Sequence, residues 1–441
     1  MSIFLNVLIF FTHQFMKNKI MIGFYLLLLL SFCISCNDDN ISNKNIIWKN
    51  KICGKSLIYD IGIGYPVYKN TVVFHSTPEP WGVHQSILFG LDINTGKEKW
   101  RLTNTDFSPK KDLQFNCTFG TYQKDNIVVA CDNVYAAKDE LLDRYERYIY
   151  SIDIEKGKVL WIKPFPAEYR RMGNMVRGVG QYAYVNANNY NKFSLLRVNI
   201  QTGELGSAFD LTNDDLPKEI SSKNPIFFNC FFTPIFKNNN GDDIVACSLS
   251  SQYSESPNDL LTTLYVYNLT QNSKVYSTPV SLTEGSNAWI NYYNGKIIIG
   301  KSHTVYCYDA FENKKYWEKS VLLNDGVGSG SGNDEIMQVL GYDNLALVYC
   351  VDRLVCFDVN TGDIKYNVLS SHSIASVVDD IIYNEDNNDL VMRDVFTGKI
   401  LKRIATGKTE EGFASTRPNV VDGKVFIHNG TDAYCIKAWG K

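Results

Sequence analysis

The chain has 441 residues, of which 45% are apolar and 13% aromatic, with 44 Lys and Arg against 47 Asp and Glu. A formal net charge of -3 excludes nucleic acid as an electrostatically driven partner, because phosphate-backbone binding needs clustered positive charge. The 27 Tyr and 24 Phe suit strands, and segments with a 3.6-residue apolar period are scarce.

The N-terminus reads as targeting sequence. Met16-Lys17-Asn18-Lys19 is a short basic region, Ile20 to Ile34 is apolar, and the run ends at Ser35-Cys36, the order of a secretory signal peptide. Met16 is a second candidate start. Cys36 after a small residue resembles a bacterial lipobox, with Cys33 where Leu is usual, so residues 1–36 read as a signal peptide and Cys36 as the lipidated residue. A membrane-spanning anchor is the alternative, but the apolar run is short for it and Asn37-Asp38-Asp39-Asn40 follows at once. The expected location is the cell envelope, lipid-anchored and on the outer membrane, with the leaflet open. The polar residues 37–45 read as a flexible tether.

From residue 46 to 441 one frame recurs. LDINTGKEKW at Leu91–Trp100 places Asp at the end of an apolar strand, Gly four residues later, and an aromatic residue on the strand that follows. The Asp or Asn position falls at 92, 153, 199, 268, 309, 358 and 394, with Gly or Asn at 96, 157, 203, 272, 313, 362 and 398. Asx side chains bond their own turn, and Gly and Asn adopt the left-handed conformation most cheaply. Successive copies lie between 36 and 69 residues apart, the period of a four-stranded propeller blade. Outer strands carry Trp48, Trp100, Trp161, Gly206, Tyr276, Trp317, Tyr366 and Lys402, which makes eight blades, the third the most degenerate. Trp48 has no preceding strands of its own, and the C-terminal strands around Lys424–Asn429 and Thr431–Lys437 lack an outer partner. The expected fold is therefore all-β: an eight-bladed propeller of four-stranded antiparallel blades in which the N-terminal strand completes the C-terminal blade and removes the open edge.

The motif Asp-x-x-Thr-Gly-Lys-x-x-Trp between strands resembles the pyrroloquinoline-quinone-like repeat. That repeat occurs in quinoprotein dehydrogenases and in the propeller lipoprotein of the outer-membrane β-barrel assembly machinery. The resemblance spans about residues 46 to 441 and implies the fold; the assembly lipoprotein suggests an envelope role by analogy. The dehydrogenases hold their quinone beside a disulfide of adjacent Cys residues, with a calcium held by carboxylates and an amide. This sequence has no Cys-Cys pair, so no catalytic, cofactor-binding or metal-binding residue is carried over.

The remaining chemistry is thin. Of 11 Cys, Cys307, Cys356 and Cys435 share one register and read as buried apolar residues, while Cys350 and Cys356 flank one tight hairpin and are candidates to pair in an oxidising compartment. His75 and His428 take matching places in the first and last blades, which suggests either a metal site or polar strand ends near solvent. Gly326–Asp334 has the composition of a phosphate loop without a following helix and reads as a flexible loop.

The informative feature is where the repeat swells. Extra residues lie between second and third strands at Ser76–Gln85, Asp132–Arg147 and Ser248–Thr263, and between blades at Asp210–Pro225 and Asn324–Asp334. In a propeller these connections open on one face. Trp81, His84, Tyr135, Tyr145 and Tyr253 are the candidate anchors of a binding face there, and Ala136–Tyr148 is read as a short helix. The expected function is a non-catalytic envelope scaffold that binds a protein or glycan, without cofactor, and meets the membrane through its lipid anchor only. The alternative is a quinone-dependent dehydrogenase or another enzyme with its site in the central funnel.

Overall fold

The structure, a computed structural model, describes residues 43–51, 65–76, 87–107, 113–116, 121–136, 145–169, 171–189, 191–223, 225–253, 256–281, 288–322, 335–371, 375–405, 417–429 and 432–440. Their strands form eight antiparallel sheets, six of four strands and two of five. The expected eight-bladed propeller is what the chain builds. Blade 1 contains Thr71–Ser76, Ile87–Asp92 and Glu98–Leu102. The chain then adds one sheet after another to blade 7, which ends at Ile400–Ile404.

Blade 8 closes the ring. Its order from the outside is Ile46–Lys51, Asp432–Lys437, Lys424–His428, Asn419–Val421, so the N-terminal strand covers the edge that the C-terminal strand leaves open. An uncovered edge would template further pairing, and closure removes it.

The second and third strands of most blades are apolar on both sides because each blade is packed between two others. Ile297, Ile298 and Ile299 are all fully buried, with Ile298 turned toward the next blade and its two neighbours toward the previous one. Blades 8 and 1 share a core of Trp48, Tyr65, Phe74, Phe89 and Phe426. Blades 1 and 2 share another around Phe107 and Tyr150, whose rings meet edge-on at 5.0 Å.

The recurring turn forms as its residues require. Asp92 Oδ1 accepts the backbone N–H groups of Asn94 and Thr95 and the Thr95 hydroxyl at 2.9–3.0 Å. Burial pushes the Asp92 carboxyl up, but these donors outweigh it and hold it below the usual carboxylate range. Gly96, Gly157, Gly203, Gly362 and Gly398 all have left-handed φ between 60° and 74°, and Asn272 has 51°. The fifth copy departs from the frame: Asn313 is not left-handed, and the N–H of Lys314 bonds to Glu312 O instead.

The turn also joins blades. The Trp48, Trp100, Trp161 and Trp317 indoles donate to the carbonyls of Ile93, Ile154, Ile200 and Val359 at 2.8–2.9 Å, each the residue after the turn's Asp or Asn in the next blade. The Tyr366 hydroxyl does the same to Val395 at 2.8 Å, and Tyr276 bonds Asp309 O at 2.5 Å. Each Trp ring lies on the turn glycine: a Cβ added at Gly96 would stand 2.7 Å from the Trp48 ring, and one at Gly362 2.8 Å from Trp317. The outer-strand aromatics are thus latches between blades as well as packing residues, and Trp48 supplies the latch that closes the ring. Blade 3 lacks one. Gly206 has nothing within 4 Å, and the contact with blade 4 is made by Phe209 against Tyr267, with ring centroids 4.3 Å apart.

Candidate functional site

Strand lengths single out one face of the ring. The second and third strands of blades 1, 5, 6 and 7 have six residues each. In blade 2 they are Ile127–Ala136 and Tyr145–Asp153, and in blade 4 Asp243–Tyr253 and Ser256–Asn268, that is 10, 9, 11 and 13 residues. At about 3.3 Å per residue the blade 4 hairpin rises roughly 15–20 Å past the level of its short neighbours. In two of the three expected insertions the described residues therefore continue the sheet. The helix expected over Ala136–Tyr148 is overturned where the chain is described, since Ala136 ends one strand and Tyr145–Tyr148 opens the next, because cross-strand pairing satisfies this backbone. Tyr135 pairs with Tyr145 near the end of the blade 2 hairpin, and Tyr253 pairs with Ser256 at that of blade 4. Trp81 and His84, with most of Ser76–Gln85, lie outside the described residues, as does most of Asn324–Asp334.

The blade 4 hairpin is anchored at its base. Ser248 Oγ donates to Ala288 O at 2.5 Å, and the buried Lys301 ammonium of blade 5 donates to Leu260 O. Higher up, Ser250 pairs with Thr262 and Leu249 with Thr263, and the hydroxyls of Ser250, Ser251, Thr262 and Thr263 are buried without a hydrogen-bond partner among the described residues. The connection at Asp210–Pro225 is packed, not open: the Asp215 carboxylate caps Thr212, and Leu216 and Ile220 bury themselves in the core between blades 3 and 4.

The second opening is axial. A cavity of about 270 Å³ lies along the inner edges of blades 8, 1 and 2, lined by Tyr65, Pro66, Val67, Thr121, Gln123, Asn419 and Val421. Gln123 and Asn419 stitch the blades there: Gln123 accepts from Val67 N and donates to Val67 O, and Asn419 donates to Tyr65 O. No carboxylate lines this cavity, and no group of three His, Cys, Asp or Glu able to hold a metal occurs among the described residues. The donor set does not fit a quinone with its calcium. A hollow of about 560 Å³ between turns of blades 4 and 5 is rich in amides, but Asn238, Asn268 and Gln271 are engaged in donating to Asp242 Oδ2 at 2.8–3.1 Å.

Two expectations are corrected by which side of a sheet a residue takes. Cys350 faces the blade 5–6 core and Cys356 the blade 6–7 core, because Tyr349 pairs with Leu354 and the two cysteines alternate to opposite faces. They cannot bridge one another, and both are buried. Cys307, Cys356 and Cys435 are buried as expected, and burial pushes all three thiols up to about 12. His75 and His428 are not strand ends near solvent but fully buried. Burial first, then the charge of His75, pushes His428 down to about 3, which keeps it neutral. The ring closure does bring the two together, and Tyr65 packs edge-on to His428.

Residues 263–439 match the family model described as outer membrane protein assembly factor BamB. Residues 263–439 thus match a PQQ-like propeller repeat model. No curated protein matches the chain. Quinohemoprotein alcohol dehydrogenase from Comamonas testosteroni superposes with a TM-score of 0.58 at 10% identity, over 91% of this chain and 78% of that one. The corresponding enzyme ADHIIG from Pseudomonas putida HK5 gives 0.57 at 9% identity, over the same shares. Sqt1 from Chaetomium thermophilum, solved bound to the N-terminus of ribosomal protein L10, gives 0.53 at 10% identity over 89% of this chain and all of that one. At such identities the likeness is one of fold. The fold hosts both enzymes and binding proteins, so the PQQ-like repeats name an architecture and not an activity.

Proposed function

We propose that the protein is a non-catalytic scaffold of the cell envelope, lipid-anchored through Cys36 at the outer membrane, that binds a protein or glycan on the face where the blade 2 and blade 4 hairpins rise. The observation that carries this reading is the pair of long hairpins on one face, flanking blade 3. Propeller insertions gathered on one face supply shape and side chains for a partner without disturbing the ring. The match of residues 263–439 to the BamB model supports the envelope setting. Among the described residues no helix is long and apolar enough to cross a membrane, which fits attachment by lipid.

The test is a pull-down from native membranes with three forms of the full chain. They are the wild type, a form with residues 134–145 replaced by Asn-Gly, and a form with Ser76–Gln85 replaced by a short turn. A protein or glycan retained by the wild type and lost with either replacement, while circular dichroism stays unchanged, supports the reading. Retention indifferent to both replacements, or no specific retention, refutes the face assignment and returns attention to an enzyme site in the funnel.

A further inference from the structure

Blade 8 departs from the frame at its turn. The Ala438 N–H donates to Gly423 O as the Val395 N–H donates to Asp380 O in blade 7, so Lys437 stands where blade 7 has Asp394. Blades 1, 2, 5 and 6 have Asp92, Asp153, Asp309 and Asp358 there. The latch that would lie on this turn is changed too: Lys402 pairs with Met392 in blade 7 as Trp317 pairs with Cys307 and Tyr366 with Cys356. One cation thus replaces the turn acid and a second replaces the latch ring. Burial first, then the charge of Lys437, pulls the Lys402 ammonium below its ordinary value.

The residues beside these lysines are apolar and open to solvent. Trp439 and Phe396 take the same place in their turns, two residues after Lys437 and Asp394, and are 40% and 45% exposed. Ile400, two residues before Lys402 on its strand, is 40% exposed. The Trp439 N–H donates to the Tyr383 hydroxyl of blade 7 at 3.3 Å, which ties the two blades together at this end. Exposed large apolar side chains gathered with cations mark a surface that meets a partner.

The chain says which partner is near. Residues 37–45 join Cys36 to Ile46–Lys51, the outer strand of blade 8, and fully extended they reach about 30 Å. That strand starts at the turn end of the blade. Its third residue, Trp48, lies on the blade 1 turn just as Trp100, the third residue of Glu98–Leu102, lies on the blade 2 turn.

Resting on the lipid-anchored reading above, we propose that the turn ends of blades 7 and 8 lie on the membrane, with Trp439, Phe396 and Ile400 in the boundary between headgroups and acyl chains and Lys402 and Lys437 on lipid phosphates. Trp favours this boundary because its ring is apolar and its N–H polar. A cationic second contact strengthens a lipid anchor on an anionic surface. The lipid on Cys36 is then not the only membrane contact. Connections between second and third strands open at the other end of each blade, so the blade 2 and blade 4 hairpins point away from the bilayer, toward a partner in the aqueous space.

The experiment takes the full chain with the lipid it acquires in its native membrane, checks Cys36 for acylation by mass spectrometry, and reconstitutes it into vesicles of phosphatidylcholine and phosphatidylglycerol with brominated acyl chains. Tryptophan emission is expected to be quenched by bromine in the wild type, and the quenched component should be missing from Trp439→Ser while circular dichroism stays unchanged. Lys402→Gln and Lys437→Gln should each lower the ratio of docked to undocked protein about fivefold, and phosphatidylcholine alone or high salt should act in the same direction. An acylated Cys36 with Trp439 unquenched overturns this inference and leaves the anchor standing; a Cys36 without acyl group overturns both. Dimers in detergent that dissociate in Trp439→Ser would assign the patch to a second copy of the chain and overturn it as well. Quenching indifferent to both lysines and to salt overturns their assignment to lipid phosphates.

Discussion

Replacing Gly362 with Ala probes the latch between blades 5 and 6, and its cost separates into two parts. Gly362 sits at φ 74°, where any L side chain is strained, a penalty of about 1 kcal/mol. The new Cβ would also stand 2.8 Å from Cδ2 and 2.9 Å from Cγ of Trp317. That ring is 8% exposed and tied by its indole N–H to Val359 O at 2.8 Å, so it cannot swing away without losing the bond. Overpacking of this kind costs roughly 1–3 kcal/mol, which brings the total to about 2–4 kcal/mol. Gly180→Ala is the control: it has φ 57° and nothing within 4 Å of a new Cβ, so only the strain of about 1 kcal/mol should remain. Urea unfolding followed by tryptophan fluorescence compares the two midpoints, which suits a ring whose blades need not unfold as one unit. In a Trp317→Leu background the Gly362→Ala penalty should shrink toward that of Gly180→Ala. Equal losses for Gly362→Ala and Gly180→Ala in the wild-type background would refute the latch.

Trp48→Ala should cost about 3–5 kcal/mol, since the ring is buried at the closure of blades 8 and 1 and its indole bonds Ile93 O; light scattering should also rise as the edge at Asp432–Lys437 opens. Because His428 is held near 3 in the folded chain and titrates near 6.5 when unfolded, its stabilising effect is complete above pH 6.5 and is lost on acidification at about 1.4 kcal/mol per pH unit. His428→Asn should flatten the stability profile between pH 6.5 and 3, and an unchanged slope would show that the group titrates normally. Asp386 bonds Arg393 at 2.9 Å and Arg403 at 3.0 Å and is 5% exposed, so Asp386→Asn, which strands a buried guanidinium, should cost about 3–5 kcal/mol in the same urea assay. Alkylation of oxidised protein during unfolding, read by mass spectrometry, should find Cys350 and Cys356 each modified and never linked to one another.

The fold was legible because its signals are local. An Asx residue at a strand end, a left-handed residue four positions on and an aromatic on the next strand define a turn through contacts within ten residues, and repetition turned seven such turns into a ring. Closure was legible for the same reason: Trp48 had an outer strand's pattern and no blade of its own. Local pattern failed where a residue's partner is distant in sequence. The sequence placed Cys350 and Cys356 six residues apart but could not say which blade each faces. It matched His75 with His428 but not their burial, because solvent is excluded there by Tyr65 and the closed ring. It read Ala136–Tyr148 by its length and composition, whereas Ala136 and Tyr145–Tyr148 belong to the paired strands of blade 2.

By itself, then, the sequence determined the repeat, the number of blades, the strand that closes the ring and the absence of a Cys-Cys pair. These depend on residue type and spacing alone. Only the tertiary structure decided that the outer-strand aromatics latch one blade to the next, and that the blade 2 and blade 4 hairpins rise from the ring. Each latch joins residues distant in sequence, as Trp48 and Ile93 are at 45 positions apart, and local pattern cannot pair such residues.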